Sequence, residues 1–200
     1  MPVLIQYAGR LSDQELDRDV LYRYETAIGA AVIYAIMLML VLAIAGFDRD
    51  LLALRRPRSW PRTLGLSAAL FVGMFVAIAL LEQALHGGEE QGLTPDGWQP
   101  DHAGAYVANF VVIAMVAPIV EELTFRGLGY SLLEPFGRWI AIVVVGVVFA
   151  LQHGLVQGLP ALVLFGCTLT WLRARTESVY PCIVLHSAFN AIALVVAVAA

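Results

Sequence analysis

Six polar side chains stand at helical spacing in otherwise apolar stretches of the sequence. Residues four positions apart share one face of a helix, so three helices could each offer a polar stripe to a common interior. Ionisable groups within a membrane are costly, and they usually face a cavity and mark function. Carboxylates and imidazoles are also the usual groups for general acid–base catalysis. The set comprises Glu121, Glu122, Arg126, His153, His186 and Asn190.

The two adjacent glutamates are expected to have different roles. Neighbouring helical residues point about 100° apart, so they cannot face the same group. Glu122 lies one turn before Arg126 and can pair with its guanidinium. Glu121 has Ala117 and Phe125 on its own stripe and no cation, an environment that suits a general base. We therefore expect Glu121 to be the catalytic carboxylate and Glu122 its structural partner.

Each group taken alone also has a structural interpretation. Glu122 and Arg126 could be a membrane ion pair, His153 an interhelical hydrogen-bonding group, and Asn190 a contact between helices. Phe149, four residues before His153, is expected to pack in either case. Two carboxylates, two imidazoles, a guanidinium and an amide on three helices indicate a functional site more than packing alone.

The composition indicates a polytopic membrane protein. Hydrophobic residues make up 60% of the 200-residue chain and charged residues 14%, whereas a soluble domain carries about a quarter charged residues. Charge-poor stretches of about 20 residues recur, which is the length that spans a bilayer. We predict an all-α bundle of about six transmembrane helices. The predicted spans are Ala27–Phe47, Thr63–Leu85, Gly104–Thr124, Arg138–Val156, Leu159–Arg173 and Val179–Ala199.

Within the third span, Pro118 has a separate predicted effect. It frees a backbone carbonyl one turn before the glutamates, and it can kink the helix there.

The chain divides into an N-terminal amphipathic segment (1–26), two transmembrane helices with their loops (27–104) and a catalytic core (105–200). Arginines concentrate in the loop after the first span and in the later loops on that side, so the positive-inside rule places those loops in the cytoplasm and both termini outside. The loop 86–103, despite His86 and His102, is expected to be a solvated connector.

All twelve basic residues are arginines, which favours a bacterial origin and a bacterial cell membrane as the location. No basic aromatic patch indicates binding to nucleic acid.

The polar residues resemble the motifs of a known family, the CPBP intramembrane proteases (CAAX protease and bacteriocin-processing, Abi- and Rce1-like). The family motifs EExxxR, FxxxH and HxxxN occur here in order at residues 121–126, 149–153 and 186–190. The resemblance covers residues 105–200. It implies an endopeptidase acting within the bilayer on a membrane-associated peptide or protein, with a prenylated CAAX-type substrate as one option.

The resemblance also implies roles for the motif residues. Glu121 and His153 would activate water, and His186 and Asn190 would stabilise the oxyanion. A zinc site formed by Glu121, His153 and His186, with water as fourth ligand, is an alternative. Because these three would come from separate helices without an HExxH pairing, we favour a mechanism without a tightly held metal.

Two other functions stay open from the sequence. One is a non-catalytic membrane immunity or scaffold protein that keeps the protease fold. The other is a small transporter that uses the glutamates and histidines as a proton relay, although no inverted repeat is visible.

Overall fold

The computed structural model describes residues 19–85, 90, 93 and 95–199. Most of the predicted N-terminal segment, and His86 of the predicted connector, lie outside the described residues. Six helices, with short 3₁₀ turns between them, form the described part, and no strand occurs in it. The predicted all-α fold is therefore confirmed. The helices are α1 Tyr24–Ala45, α2 Trp60–Leu85, α3 (residues 103–133), α4 Arg138–Leu151, α5 Leu159–Thr176 and α6 Tyr180–Ala199.

The six helices correspond to the six predicted spans, but they are not equally suited to cross a membrane. Four stretches of the described chain are long and apolar enough: Tyr24–Ala45, Trp60–Leu81, Pro100–Phe136 and Tyr180–Ala199. Helix α4 has only 14 residues and rises about 21 Å, less than the roughly 30 Å of a hydrocarbon core. Helix α5 contains three threonines and ends with two arginines.

Helix α4 ends earlier than predicted, and this changes the setting of His153. The helix stops at Leu151, and Gly154 then takes a φ of 65°, in the left-handed region that favours glycine. His153 therefore lies in the turn after α4 and not on the helix itself.

Helix α3 is irregular on both sides of the two glutamates. Two π-helical segments, Val112–Val116 and Leu123–Gly129, flank the α-helical segment Ala117–Glu122. In a π segment each backbone N–H bonds to the carbonyl five residues back, whereas in an α-helix it bonds to the carbonyl four residues back. Such segments are frequent at functional sites.

Pro118 accounts for the first π segment. Ala117 donates its N–H to the Val112 carbonyl, five residues back. The next donor in that pattern would be residue 118, but proline has no N–H. The Ile113 carbonyl accepts a hydrogen bond from the Asn190 side chain on α6 instead, at 3.0 Å. The freed carbonyl predicted from Pro118 is thus bound by a residue from another helix.

Helices α4 and α5 pack closely enough for their backbones to touch. A Cβ atom on Gly166 would lie 2.5 Å from the Gly146 carbonyl oxygen, and one on Gly146 would lie 2.7 Å from the backbone nitrogen of Cys167. Small residues allow this approach between membrane helices. The close packing brings the Gly166 carbonyl towards α3, where the functional residues stand.

The arginine-rich segments meet at one end of the bundle. Arg55 donates to the Glu177 carbonyl at 2.7 Å, and Arg58 donates to the Glu177 carboxylate at 3.0 Å. At the other end of α5, the Glu90 carboxylate accepts backbone hydrogen bonds from residues 156–158. Glu90, a residue of the predicted connector, is thereby bonded to the turn that precedes α5.

Candidate active site

A buried arginine organises the centre of the bundle. The Arg126 Nη1 atom donates to Glu122 Oε1 at 2.7 Å, and both side chains are fully buried. Its Nη2 donates to the Gly166 carbonyl at 2.9 Å, and its Nε donates to the Thr170 hydroxyl at 3.2 Å. The Phe149 ring covers the guanidinium at 4.3 Å. The ion pair predicted from the spacing and the packing role of Phe149 are both confirmed.

Glu122 also holds His186, a contact that the sequence did not indicate. His186 Nδ1 lies 2.8 Å from Glu122 Oε1, the oxygen that accepts from Arg126. A carboxylate paired with a guanidinium accepts hydrogen bonds, so Nδ1 carries the hydrogen and donates. This contact fixes the orientation of the imidazole and turns Nε2 towards Glu121. His186 Nε2 and Glu121 Oε2 are 3.9 Å apart.

Tyr34 on α1 completes the surroundings of Glu121. Its hydroxyl donates to Glu121 Oε1 at 2.7 Å. Tyr34 was not among the predicted residues, since a phenol hydroxyl stands out less in an apolar stretch than a charged or amide side chain does. A signal was nevertheless present: membrane tyrosines concentrate near the interfaces, whereas Tyr34 stands midway along the span Tyr24–Ala45.

His153 lies one aromatic ring away from His186. Its Nδ1 is 2.8 Å from the Phe149 carbonyl, and because a carbonyl only accepts, Nδ1 donates and leaves Nε2 free to accept. The Phe149 ring centroid lies 4.8 Å from that of His153 and 5.8 Å from that of His186. Within the described chain, no hydrogen bond or ion pair joins His153 to either glutamate.

The six predicted residues are therefore brought together to different degrees. Glu121, Glu122, Arg126 and His186 form one buried cluster with at most 5% exposure each. Asn190 lies one turn along α6 from His186, and its amide nitrogen is bonded to the Ile113 carbonyl.

The predicted zinc ligands can be tested by the same geometry. Catalytic zinc takes three protein donors and a water. Glu121 Oε2 and His186 Nε2 could supply two converging donors. However, no group of three His, Cys, Asp or Glu side chains in the described residues is arranged to hold a metal ion. The side chains present do not assemble the predicted zinc-ligand set of Glu121, His153 and His186.

Arg173, the last residue of the predicted span Leu159–Arg173, is a second buried arginine. It is 2% exposed, donates from Nε to the Arg126 carbonyl at 3.0 Å and lies over the Tyr130 ring at 5.0 Å. The accepting carbonyl belongs to the second π segment. The spacing offered a signal, since Arg173 stands three residues after Thr170, on the same helix face.

Residues 103–192 match the family model for the type II CAAX prenyl endopeptidases, Rce1-like. This part of the chain, 90 of its 200 residues, is similar to an Rce1-like domain. The resemblance drawn from the three motifs is thus confirmed, and the family is one of CAAX-type intramembrane proteases with membrane-associated substrates. No curated protein and no solved structure matches the chain.

Breaking the buried ion pair should destabilise the protein as well as inactivate it. Removing one partner leaves an uncompensated charge and costs about 3–5 kcal/mol. We expect Glu122→Gln and Arg126→Ala to lower the thermal unfolding midpoint of detergent-purified protein. Glu177→Gln is the matched control, because it breaks the exposed pair with Arg58, which is worth at most about 1 kcal/mol. If both buried variants were inactive but as stable as wild type, a direct catalytic role would explain them better.

Proposed function

We propose that the protein is an intramembrane endopeptidase that hydrolyses a peptide bond of a membrane-associated substrate with water activated by Glu121. The observation that carries this proposal is the approach of Glu121 Oε2 to His186 Nε2, at 3.9 Å, inside a buried cluster. A hydrogen bond orients each group: Tyr34 donates to Glu121, and His186 donates to Glu122. Such orientation of catalytic groups is what lowers the reorganisation needed during a reaction.

The gap between the two atoms suits a bound water molecule. A separation of 3.9 Å is too long for a direct hydrogen bond, but one water, displaced from the line joining the atoms, can lie about 2.8 Å from each. A water in that position has a carboxylate oxygen within reach to accept its proton, and this is the geometry required of a general base.

The proposed reaction needs no group beyond these side chains and water. Glu121 accepts a proton from the water while the water oxygen bonds to the scissile carbonyl carbon. His186 donates from Nε2 to the oxyanion, a step that requires a hydrogen on both ring nitrogens because Nδ1 donates to Glu122. The second N–H of the Asn190 amide is a further donor. Glu121 then returns the proton to the amide nitrogen, the C–N bond breaks, and a carboxylic acid and an amine leave. His153, which lies on the other side of the Phe149 ring from His186, has no step in this reaction.

The substrate class follows from the family and from the surroundings of the site. Rce1-like proteases are described as CAAX prenyl endopeptidases, so a peptide near a lipidated C-terminus is the substrate we propose to test. Helix α1 supplies Tyr34 to the site, yet only 11% of its apolar, membrane-length stretch is buried inside the protein. A substrate segment held in the lipid therefore has a short path to Glu121 along α1.

Replacing Glu121 should abolish proteolysis without unfolding the protein. Glu121→Gln keeps the shape and removes the base, so cleavage of a quenched-fluorescent prenylated CAAX peptide should fall about 10²–10⁴-fold. Asp101→Asn, an exposed acid, is the control and should cleave like wild type. Full activity in Glu121→Gln would refute the mechanism, whereas no cleavage by wild type would favour the non-catalytic immunity or scaffold function.

Tyr34→Phe tests whether orientation of Glu121 matters. The change removes only the hydroxyl that bonds to the carboxylate, and a hydrogen bond to a charged group contributes about 1.5–3 kcal/mol. We expect kcat to fall roughly tenfold or more with KM little changed. Tyr24→Phe on the same helix, where the side chain is 55% exposed, should leave both constants unchanged. An unchanged kcat in Tyr34→Phe would show that Tyr34 only packs.

We further propose that the arginine-rich end of the bundle, and access to the site, face the cytoplasm of a bacterial cell. The proposal is supported by the arginine content of that end. In a background with Cys167 and Cys182 replaced by alanine, Arg56→Cys should be labelled only from the cytoplasmic side. Asp101→Cys, within the opposite connector 86–103, should be labelled from outside, and the reverse pattern would contradict this orientation.

A further inference from the structure

A second concave site lies at the arginine-rich end, separate from the glutamate cluster. It is a cavity of about 450 Å³ between the start of α2 and the end of α5, within the size range of small-molecule sites. The polar and aromatic residues of its wall that matter here are Arg58, Arg62, Thr63, Trp171, Arg175 and Thr176.

The cavity carries more positive than negative charge. Arg58 is paired with Glu177 at 3.0 Å, and both side chains are largely exposed. Among the described residues, no ion pair involves Arg62 or Arg175. These two arginines come from different helices and line the same cavity, so an anion between them could bind both guanidinium groups.

The position of the cavity indicates the depth of the lipid headgroups. Arg62 lies in the first turn of α2, whose apolar stretch begins at Trp60, and Trp171 forms part of the wall. Tryptophan is enriched where a membrane protein passes from hydrocarbon to water. Trp60 itself is 41% exposed, as expected for a side chain at that boundary.

We propose that this cavity binds a phosphate group, and that its source in the membrane is the headgroup of an anionic phospholipid. Guanidinium groups bind phosphate oxygens through paired hydrogen bonds, and basic pockets between transmembrane helices take up lipid headgroups. The site would bind lipid whether or not the protein cleaves peptides.

The experiment measures lipid binding to the full-length protein in neutral detergent. Native mass spectrometry would follow titrations with phosphatidylglycerol, phosphatidylcholine and inorganic phosphate. The double variant Arg62→Gln/Arg175→Gln removes the two unpaired charges of the cavity. Arg49→Gln/Arg56→Gln is the matched control, since it removes the same charge from exposed positions of the neighbouring loop. Thermal unfolding without lipid checks that both variants are folded.

Wild-type protein is expected to bind one phosphatidylglycerol saturably and phosphatidylcholine more weakly. The cavity variant should bind phosphatidylglycerol about tenfold more weakly or worse, because both positive charges that attract the headgroup are lost, and the control variant should bind like wild type. Saturable binding of inorganic phosphate that is lost only in the cavity variant would support the phosphate site with a soluble source. Equal lipid binding by wild type and both variants, or an equal loss in both variants, would overturn the proposal.

Discussion

Burying the guanidinium of Arg126 is the constraint on which much of the bundle depends. A charge away from water must be neutralised and its N–H groups must be bonded. Glu122 neutralises it from one turn away, while Gly166 and Thr170 on α5 accept its remaining hydrogen bonds. Helix α5, which supplies that backbone carbonyl, packs directly on α4 through Gly146 and Gly166. Gly166 thus contributes both to the contact between these helices and to the binding of the guanidinium.

The same pair also orients the proposed reacting groups, His186 and Glu121. Glu122 bonds to both Arg126 and His186. His186 lies 3.9 Å from Glu121, which in turn accepts a hydrogen bond from Tyr34. This series of contacts connects α3, α6 and α1. Polar groups in a low-dielectric interior interact strongly, so a change at either end alters the orientation of the groups between them. Several polar groups can in this way be held in fixed positions inside a largely apolar bundle.

Contacts within one helix were predictable from the sequence, and contacts between helices were not. The pairing of Glu122 with Arg126 follows from helical spacing alone, as does the free carbonyl before Pro118. The bonds from His186 to Glu122 and from Tyr34 to Glu121 join positions 64 and 87 residues apart, and nothing local specifies them. Hydropathy also could not separate α4 from a full span, because apolar side chains serve equally well against lipid and against protein.

The two π segments have a consequence for how this sequence tolerates insertions and deletions. Each segment accommodates one residue that a regular α-helix of the same length would not. Deleting one residue from Val112–Val116 would convert the wide turn into a regular helix and leave the following residues close to their present orientation. An equal deletion from the regular helix α1 before Tyr34 has no wide turn to absorb it, and it would rotate Tyr34 by about 100° relative to the preceding residues. A chain one residue shorter could thus keep every motif letter and retain the alignment of Glu121 with Tyr34 in the first case but lose it in the second.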